Sequence, residues 1–154
     1  MKHDVLQHAC VEGGLYDYHI VLSLLKEMKN YDVIYTHYGS DRRFDVPFIR
    51  TRAYVHGLQK LLPDYMDQFL LDTYPMAKNK LRLHSYRLDS IADALGVKGC
   101  RKTRMLPSVW MKAMFMQDRT ALRYILKHCE QDVLLLEGVV KKLKKVERPK
   151  YVSV

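Results

Sequence analysis

The sequence predicts an α/β fold in which helices cover a small sheet. Apolar side chains recur at helical spacing between residues 17 and 30. A β-branched and aromatic run without that period, residues 33–36, follows directly and is typical of a buried strand. Near the carboxyl end, Asp118 precedes a long stretch whose apolar stripe is typical of an amphipathic helix.

The first half of the chain is predicted to hold a helix, a strand and a second helix. The first helix spans residues 17–30, with its apolar stripe at Val21, Leu24, Leu25 and Met28. After the strand, the polar stretch from His37 to Arg43 contains Gly39 and predicts a loop. A helix then starts at Asp45, because Pro47 suits a first turn, and it ends near residue 57.

The second half is predicted to be mostly helical. Residues 69–73 form either a short strand or a buried turn of helix. A compact helix over residues 88–95 stops at Gly96, and Pro107 opens another helix. The final helix begins after Asp118, and its predicted apolar face consists of Leu122, Ile125, Cys129, Val133, Leu136 and Val140.

Length and composition predict one domain over residues 1–145 and a tail over residues 146–154. The 154 residues are 48% hydrophobic and 28% charged, which is close to average globular usage and unlike collagen, a coiled coil or a disordered chain. No apolar run approaches the ~18 residues of a membrane span, and the first residues lack the apolar stretch of a secretory signal. Three widely spaced cysteines form no Cys-x-x-Cys pair. We therefore expect a cytoplasmic protein with no membrane partner, disulfide framework or zinc ribbon.

The charge balance favours a polyanionic partner. The chain has 26 Lys and Arg against 17 Asp and Glu, a formal net charge of +9. Such a surface attracts nucleic acid, although basic residues can also serve solubility alone. Basic and aromatic side chains suited to phosphate contact and base stacking cluster after the first strand: His37, Tyr38, Arg42, Arg43, Arg50, Arg52 and Tyr54. Each of them alone is more often part of a solvated face.

Two carboxylates stand out by their position. Asp45 follows the loop after a strand, where it either caps the next helix or projects into a cleft. On the final helix, His128 and Asp132 are four residues apart and share a face beside the apolar stripe. A carboxylate that is partly buried there needs a cation, a hydrogen-bond donor or a metal ion. A cap or a salt bridge explains each of these residues taken singly.

The combination of motifs resembles the ribonuclease-H-like 3′-5′ exonucleases of the DEDD type, especially the proofreading domains of family B DNA polymerases and their stand-alone relatives. Residues 31–39 followed by residues 44–49 are similar to the second motif of this family. Residues 128–133 are similar to its third motif. The resemblance covers residues 17–145 in the family's order, which makes it far more specific than one motif. It implies a mixed sheet flanked by helices, Mg²⁺ or Mn²⁺ as cofactor, and single-stranded DNA or RNA ends as substrate.

The resemblance also implies roles for individual residues. Asp45 and Asp132 correspond to metal ligands, and we expect them to share one cation. His128 stands where the polymerase-like branch usually carries tyrosine, and it would orient the attacking water. Residues 71–73 and 88–97 are similar to stretches that are structural in the family.

This sequence departs from the family pattern in two ways. Tyr38 replaces the asparagine that often precedes the glycine of the second motif. The family begins with a strand bearing Asp-x-Glu, and no Asp-x-Glu precedes residue 30. The N-terminal strands are therefore expected to be incomplete, with the first motif lost or outside this chain. Glu12 and Asp17 are the nearest acids that could replace it.

These observations support a metal-dependent 3′-5′ exonuclease-type domain that is slow or inactive as this chain. The first alternative is a non-catalytic nucleic-acid-binding or assembly module that keeps the fold, and a second is a basic α/β domain with no nucleic-acid role. Without the central strand of the fold, strand edges would be exposed and would recruit another strand. We therefore also expect a homodimer through residues 4–11.

Overall fold

The computed structural model describes residues 17–40, 43–64, 67–97 and 105–145. These residues form two compact units, one ending at Asp72 and the other beginning at Thr73. No helix within these ranges is both long and apolar enough to cross a membrane. Residues 4–11 and the predicted tail over residues 146–154 lie outside the described residues. The dimer through residues 4–11 and the single domain ending at residue 145 stay predictions.

The first unit alternates helices and strands. In chain order it contains α1 (Tyr18–Met28), β1 (Val33–Thr36), α2 (Asp45–Val55), a 3₁₀ turn (Gln59–Leu61) and β2 (Phe69–Asp72). The predictions of α1, β1 and α2 are confirmed as elements. The prediction that β1 is buried was wrong, because Val33 is 40% exposed and the other three residues of the strand are half-buried. For residues 69–72, the strand is confirmed over the alternative of a helical turn.

The two strands of the first unit are parallel neighbours. Val33 lies opposite Phe69 at one end of the pair, and Thr36 lies opposite Asp72 at the other. Parallel strands need a crossover connection, and α2 with the 3₁₀ turn provides it. Both strands therefore end at the same edge of the sheet, where the residues that follow them come together.

The core of the first unit lies between its helices. Val21 and Leu25 on α1 pack in one cluster with Ala53 on α2 and with Leu58. Val21 and Leu25 are one helical turn apart, as predicted, whereas Leu24 from the same stripe is 38% exposed. Full burial of a side chain such as Leu25 contributes about 1.5–3 kcal/mol, which makes this face the main reason that α1 is stable.

The described part of the second unit is helical. It contains α3 (Thr73–Lys80), α4 (Leu88–Ala94), α5 (Pro107–Phe115) and α6 (Arg119–Leu143). The predictions of α4, α5 and α6 are confirmed, but α3 was not predicted. The reason is that α3 buries only Thr73 and Ala77, two small residues one turn apart. Its sequence therefore has no stripe of large apolar side chains to indicate a helix.

Two helix ends in the second unit are set by residues that the sequence identifies. The Asp118 side chain accepts hydrogen bonds from the backbone N–H groups of Thr120 and Ala121, at 2.8 and 3.3 Å. This is the predicted N-cap of α6. Gly96 follows α4 with a φ of 65°, the left-handed conformation in which glycine ends helices most readily.

The buried face of α6 is rotated relative to the predicted apolar face. Its buried residues are Ala121, Ile125, His128, Leu135, Val139, Val140 and Leu143. The prediction was wrong for Cys129 and Val133, which are both exposed, Val133 by 65%. The predicted face was drawn from apolar residues alone, so it could not include His128, which is buried.

Candidate functional site

Two carboxylates lie at the edge where the parallel strands end. Asp72 is the last residue of β2, and Asp45 is the first residue of α2, after the loop that follows β1. In open α/β sheets, ligands bind outside the carboxyl ends of the strands. Gly39, in the loop between β1 and α2, completes this group. We refer to Gly39, Asp45 and Asp72 as the edge site.

Asp72 is buried and receives two hydrogen bonds from the loop after β1. The backbone N–H of Tyr38 donates to its Oδ1 at 2.9 Å, and the backbone N–H of Ser40 donates to its Oδ2 at 3.1 Å. Only 6% of Asp72 is exposed. Hydrogen bonds to an ionised acceptor are stronger than neutral ones and offset part of the cost of burying the charge. The resemblance indicated only a structural place for Asp72, whereas its contacts tie it to the loop beside Asp45.

Gly39 brings the backbone of this loop against Asp45. Its carbonyl oxygen accepts a hydrogen bond from the backbone N–H of Val46 at 3.0 Å. A Cβ atom placed on Gly39 would lie 2.5 Å from Asp45 Oδ2 and 3.0 Å from the Cβ of Thr36. Real Cβ atoms do not approach other atoms so closely, so a larger residue at this position would force the Asp45 side chain to move. The Asp45 carboxylate is therefore held close to the loop backbone.

The electrostatic surroundings of Asp45 disfavour its charge. Partial burial raises the pKa of Asp45 above its usual range, and the negative charge of Asp72 raises it further. Asp45 is not the N-cap of α2, because that position is held by Phe44, and it lies in the first turn instead. A bound cation would relieve the repulsion between the two carboxylates. Their oxygen atoms are also the donor type that Mg²⁺ and Mn²⁺ prefer.

Tyr38 and Arg43 are in contact beside the edge site. Tyr38 has a φ of 62°, in the left-handed region that asparagine adopts more readily than most residues. The asparagine that often holds this position in the resembling family suits the same backbone conformation. The Arg43 guanidinium donates to the Tyr38 hydroxyl at 2.9 Å and lies 4.2 Å from the centre of its ring. Both side chains are exposed, as a surface that contacts nucleic acid requires.

An aromatic pair that the sequence analysis did not identify flanks Asp45. The rings of Phe44 and Phe48 stack with their centres 5.4 Å apart and their planes 19° from parallel. Phe44 is 65% exposed and Phe48 is 49% exposed. Exposed aromatic faces are the surfaces on which unpaired bases stack. The signal was present in the sequence, because two phenylalanines four residues apart share one side of a helix.

Arg52, one of the predicted phosphate-binding residues, is held by a carboxylate. Its Nε donates to Asp17 Oδ2 at 2.6 Å, and its Nη2 donates to Asp17 Oδ1. His56 Nε2 lies 2.7 Å from the same Oδ1. The hydrogen bond from Arg52 holds the pKa of Asp17 well below its usual range, with a smaller contribution from His56, although partial burial acts in the opposite direction. The three side chains connect the start of α1 to α2, and we refer to them as the Asp17 cluster.

The other predicted contact residues differ in exposure. Arg50 and Tyr54 are exposed on α2, and His37 is half-buried in the loop after β1. Arg42 and the candidate acid Glu12 lie outside the described residues. Their predicted roles stay predictions.

The second candidate group is on α6, in the second unit. His128 Nε2 lies 3.5 Å from Asp132 Oδ2, as their spacing of four residues predicts. His128 is buried and Asp132 is half-buried, so both belong to the covered side of the helix. A polar pair on a buried helix face is typical of a functional or structural ion pair rather than of simple packing. We refer to His128 and Asp132 as the helix site.

The edge site and the helix site belong to different units of the chain. The predicted approach of Asp45 to Asp132 therefore stays a prediction. Within residues 17–40, 43–64, 67–97 and 105–145, no three His, Cys, Asp or Glu side chains form a group that could hold a metal ion. Each group contributes carboxylate oxygen atoms of the type that a divalent cation needs.

Comparison with known proteins identifies the family. The model of the RNase H superfamily matches residues 5–144, which is most of the chain. The chain belongs to the RNase H superfamily. This RNase H superfamily member is also similar to a DNA polymerase from Methanocaldococcus jannaschii, at 23% identity over 137 residues. The match covers 78% of this chain and 8% of the polymerase, and no solved structure matches.

Membership of the RNase H superfamily confirms the predicted fold. The chain is an α/β protein with a nuclease-like, RNase H-like fold and a small parallel sheet in its described residues. This fold indicates nucleic acid as the class of ligand. Because the chain spans only 8% of the length of the polymerase that it matches, the activity of that protein is not transferred to it.

Proposed function

We propose that this RNase H superfamily member is a metal-dependent nuclease module of the 3′-5′ exonuclease type, acting on single-stranded ends of DNA or RNA. The observation that carries the proposal is the edge site. There, Asp45 is held beside a second carboxylate at the carboxyl edge of two parallel strands. This arrangement favours a cation over an empty site, because two neighbouring negative charges repel each other.

Asp45 and Asp132 are the proposed ligands of Mg²⁺ or Mn²⁺, and His128 is the proposed residue that orients the attacking water. A divalent cation at such a site supplies two effects, activation of water and stabilisation of the leaving oxygen. Partial burial and the charge of Asp72 raise the pKa of the Asp45 carboxylate, so cation binding and loss of the proton are coupled there. His128 lies 3.5 Å from the Asp132 carboxylate and is held on the same helix face.

The surface around the edge site supports a single-stranded substrate. Phe44 and Phe48 expose stacked rings next to Asp45. Tyr38 is also exposed, with the Arg43 guanidinium over one face of its ring. Bases that are not paired can stack on such rings, while phosphates are attracted by the net charge of +9. A duplex keeps its bases stacked inside and offers no face to these rings.

A second candidate function is a non-catalytic module that binds nucleic acid. The specific observation in its favour is the sequence before residue 30, which contains no Asp-x-Glu. Phosphodiester hydrolysis with two metal ions needs several carboxylates to hold both cations. With Asp45 and Asp132 alone, one weak cation site is supported more readily than a pair.

A cleavage assay distinguishes the two functions. Single-stranded DNA and RNA oligonucleotides labelled at the 5′ end are incubated with the chain and Mn²⁺ or Mg²⁺, beside the variant Asp45→Asn. A ladder that shortens from the 3′ end, slow in the wild type and absent in the variant, supports the nuclease. Binding without cleavage supports the non-catalytic module. Absence of both at low salt would contradict both functions.

Metal binding tests the shared site directly. Mn²⁺ should bind weakly to the wild-type chain, and Asp132→Asn should abolish binding, because one ion held by Asp45 and Asp132 loses half of its protein ligands. Paramagnetic broadening of amide signals by Mn²⁺ measures this. Asp93→Asn, an exposed change on α4, is the matched control. Broadening near Asp45 that persists in Asp132→Asn would show that the two residues do not share the ion.

A further inference from the structure

Asp72 is a buried carboxylate that is not itself one of the proposed metal ligands. It lies at the end of β2 with 6% of its surface exposed. Burying an ionised carboxylate costs several kcal/mol unless hydrogen bonds compensate. At Asp72 this compensation includes the backbone N–H groups of Tyr38 and Ser40, which lie 34 and 32 positions earlier in the chain. A strand end is thereby bonded to the loop that follows the neighbouring strand.

The two bonds determine the shape of that loop. They hold Tyr38 in a left-handed backbone conformation, with a φ of 62°. Such a conformation is unfavourable for a residue other than glycine, and it persists only where the surroundings impose it. Tyr38 and Ser40 flank Gly39, so Asp72 accepts hydrogen bonds from the loop on both sides of the glycine.

Gly39 connects the loop that Asp72 holds to the Asp45 side chain. Its backbone lies so close to the Asp45 carboxylate that an added Cβ would stand 2.5 Å from Oδ2. Its carbonyl also accepts the N–H of Val46 in the first turn of α2. The loop backbone therefore limits where the Asp45 side chain can lie, and the hydrogen bonds from the loop to Asp72 fix the position of that backbone.

We propose that Asp72 is a positioning residue that sets the place of the Asp45 carboxylate through the loop over residues 37–40, and with it the affinity of Asp45 for a divalent cation. The inference rests on the proposed function for the cation, but the loop geometry can be tested without it. Partners that orient a metal ligand typically change metal affinity by about 10- to 100-fold when they are removed.

Three variants separate positioning from charge and from general stability. Asp72→Asn keeps the size of the side chain but leaves one oxygen to accept two N–H groups. Gly39→Ala keeps every charge and pushes on Asp45 directly. Asp32→Asn removes a carboxylate at the opposite end of the same sheet, at an exposed residue before β1, and is the control.

The measurements are Mn²⁺ affinity and amide hydrogen exchange on the full chain. In Asp72→Asn we expect Mn²⁺ affinity to fall ~10-fold or more and the Tyr38 and Ser40 amides to exchange faster. Gly39→Ala should lower the affinity comparably, and Asp32→Asn should change it less than about twofold. If Mn²⁺ affinity falls in Asp72→Asn but not in Gly39→Ala, the loss of the Asp72 charge explains the fall, and the inference is overturned.

The loop readout keeps the inference separate from the proposed function. If the wild-type chain binds no Mn²⁺, the metal proposal fails. A change in the NMR chemical shift of the Asp45 carboxyl carbon in both Asp72→Asn and Gly39→Ala still supports the positioning role of Asp72. If Asp72→Asn does not fold, the wild-type chain decides, by scalar coupling across the hydrogen bonds from the Tyr38 and Ser40 amides to the Asp72 carboxyl carbon. Unchanged amide exchange in Asp72→Asn, or absence of that coupling, overturns the inference.

Discussion

The Asp17 cluster and the edge site treat a carboxylate in opposite ways, although both belong to the first unit. Asp17 is bound by Arg52 and His56, and its pKa is held below the usual range. Asp45 has a raised pKa instead, because it is partly buried and because the negative charge of Asp72 acts on it. The chain has more Lys and Arg residues, 26, than Asp and Glu residues, 17. Its composition therefore does not require two carboxylates to lie near each other. The difference separates a carboxylate that is paired with cations between two helices from the carboxylate that we propose as a cation ligand.

The comparison also bears on the missing first motif. Asp17 was one of the two nearest acids that could replace the Asp-x-Glu of the family. In the structure its oxygen atoms are taken up by two cationic side chains. Binding a metal ion there would require breaking a bidentate ion pair between α1 and α2, which costs stability.

The largest effect in this comparison is expected from Asp17→Asn. The change removes a charged acceptor from Arg52 and His56, and hydrogen bonds to charged groups contribute about 1.5–3 kcal/mol each. Because the Arg52 and Asp17 side chains keep contact with water, we expect a total loss of about 2 kcal/mol. Urea unfolding at neutral pH measures it. Asp64→Asn, at an exposed position, is the control, and an equal loss in that variant would show that the cluster has no special weight.

The elements that the sequence predicts are those whose signals are local. β1 covers residues 33–36 as predicted, because a β-branched and aromatic run carries its own preference for a strand. The cap at Asp118 involves only the next three residues. α3 escapes the pattern because the residues it buries are small.

The parts of the site that the sequence could not predict depend on distant contacts. The bond from Tyr38 to Asp72 spans 34 positions and exists only once β1 and β2 have paired. The place of His128 on the buried face of α6 is set by packing, which overrides the polar character of the side chain. Asp45 and Asp132 stand out in the sequence by their positions, and the resemblance to motifs supplied the prediction that they bind a metal ion. The contacts around Asp45 give that prediction a physical setting.

The second prediction concerns acid conditions. The pKa of Asp17 is lower in the folded chain than its usual value of 3.8, so between these two values the unfolded chain binds more protons. The stability from this carboxylate is therefore fully present above 3.8 and is lost as the pH falls through the folded pKa. Urea unfolding at about pH 5 and about pH 3, both below the usual pKa of histidine, should show a difference between wild type and Asp17→Asn that shrinks at the lower pH. A difference that grows on acidification would contradict the ion pair.

The third prediction has the opposite sign. The pKa of Asp45 is raised, so its ionised form disfavours the folded chain once the pH exceeds the usual value. Asp45→Asn should therefore stabilise the metal-free protein at neutral pH, by less than about 1 kcal/mol after solvent screening. The gain should disappear under acid conditions and reverse when Mn²⁺ is added, because only the wild type is stabilised by the ion. Thermal unfolding measures all three conditions. A clear loss of stability without metal would contradict the conclusion that burial and the charge of Asp72 disfavour the ionised Asp45 carboxylate.

The smallest expected effect concerns two arginines that make different contacts. Arg43 lies on the neutral phenol of Tyr38, whereas Arg52 is bound to the Asp17 carboxylate. Arg43→Ala should weaken binding of single-stranded oligonucleotides about two- to threefold and lower the salt dependence by ~0.7, the value for one phosphate contact on a single strand. The loss should be equal for all base sequences, because phosphate contacts carry no base information. Arg52→Gln should change the salt dependence by less than half as much, since its charge is already neutralised by Asp17. Fluorescence titration in rising salt compares the two variants, and a larger change for Arg52→Gln would mean that the ion pair opens to bind phosphate.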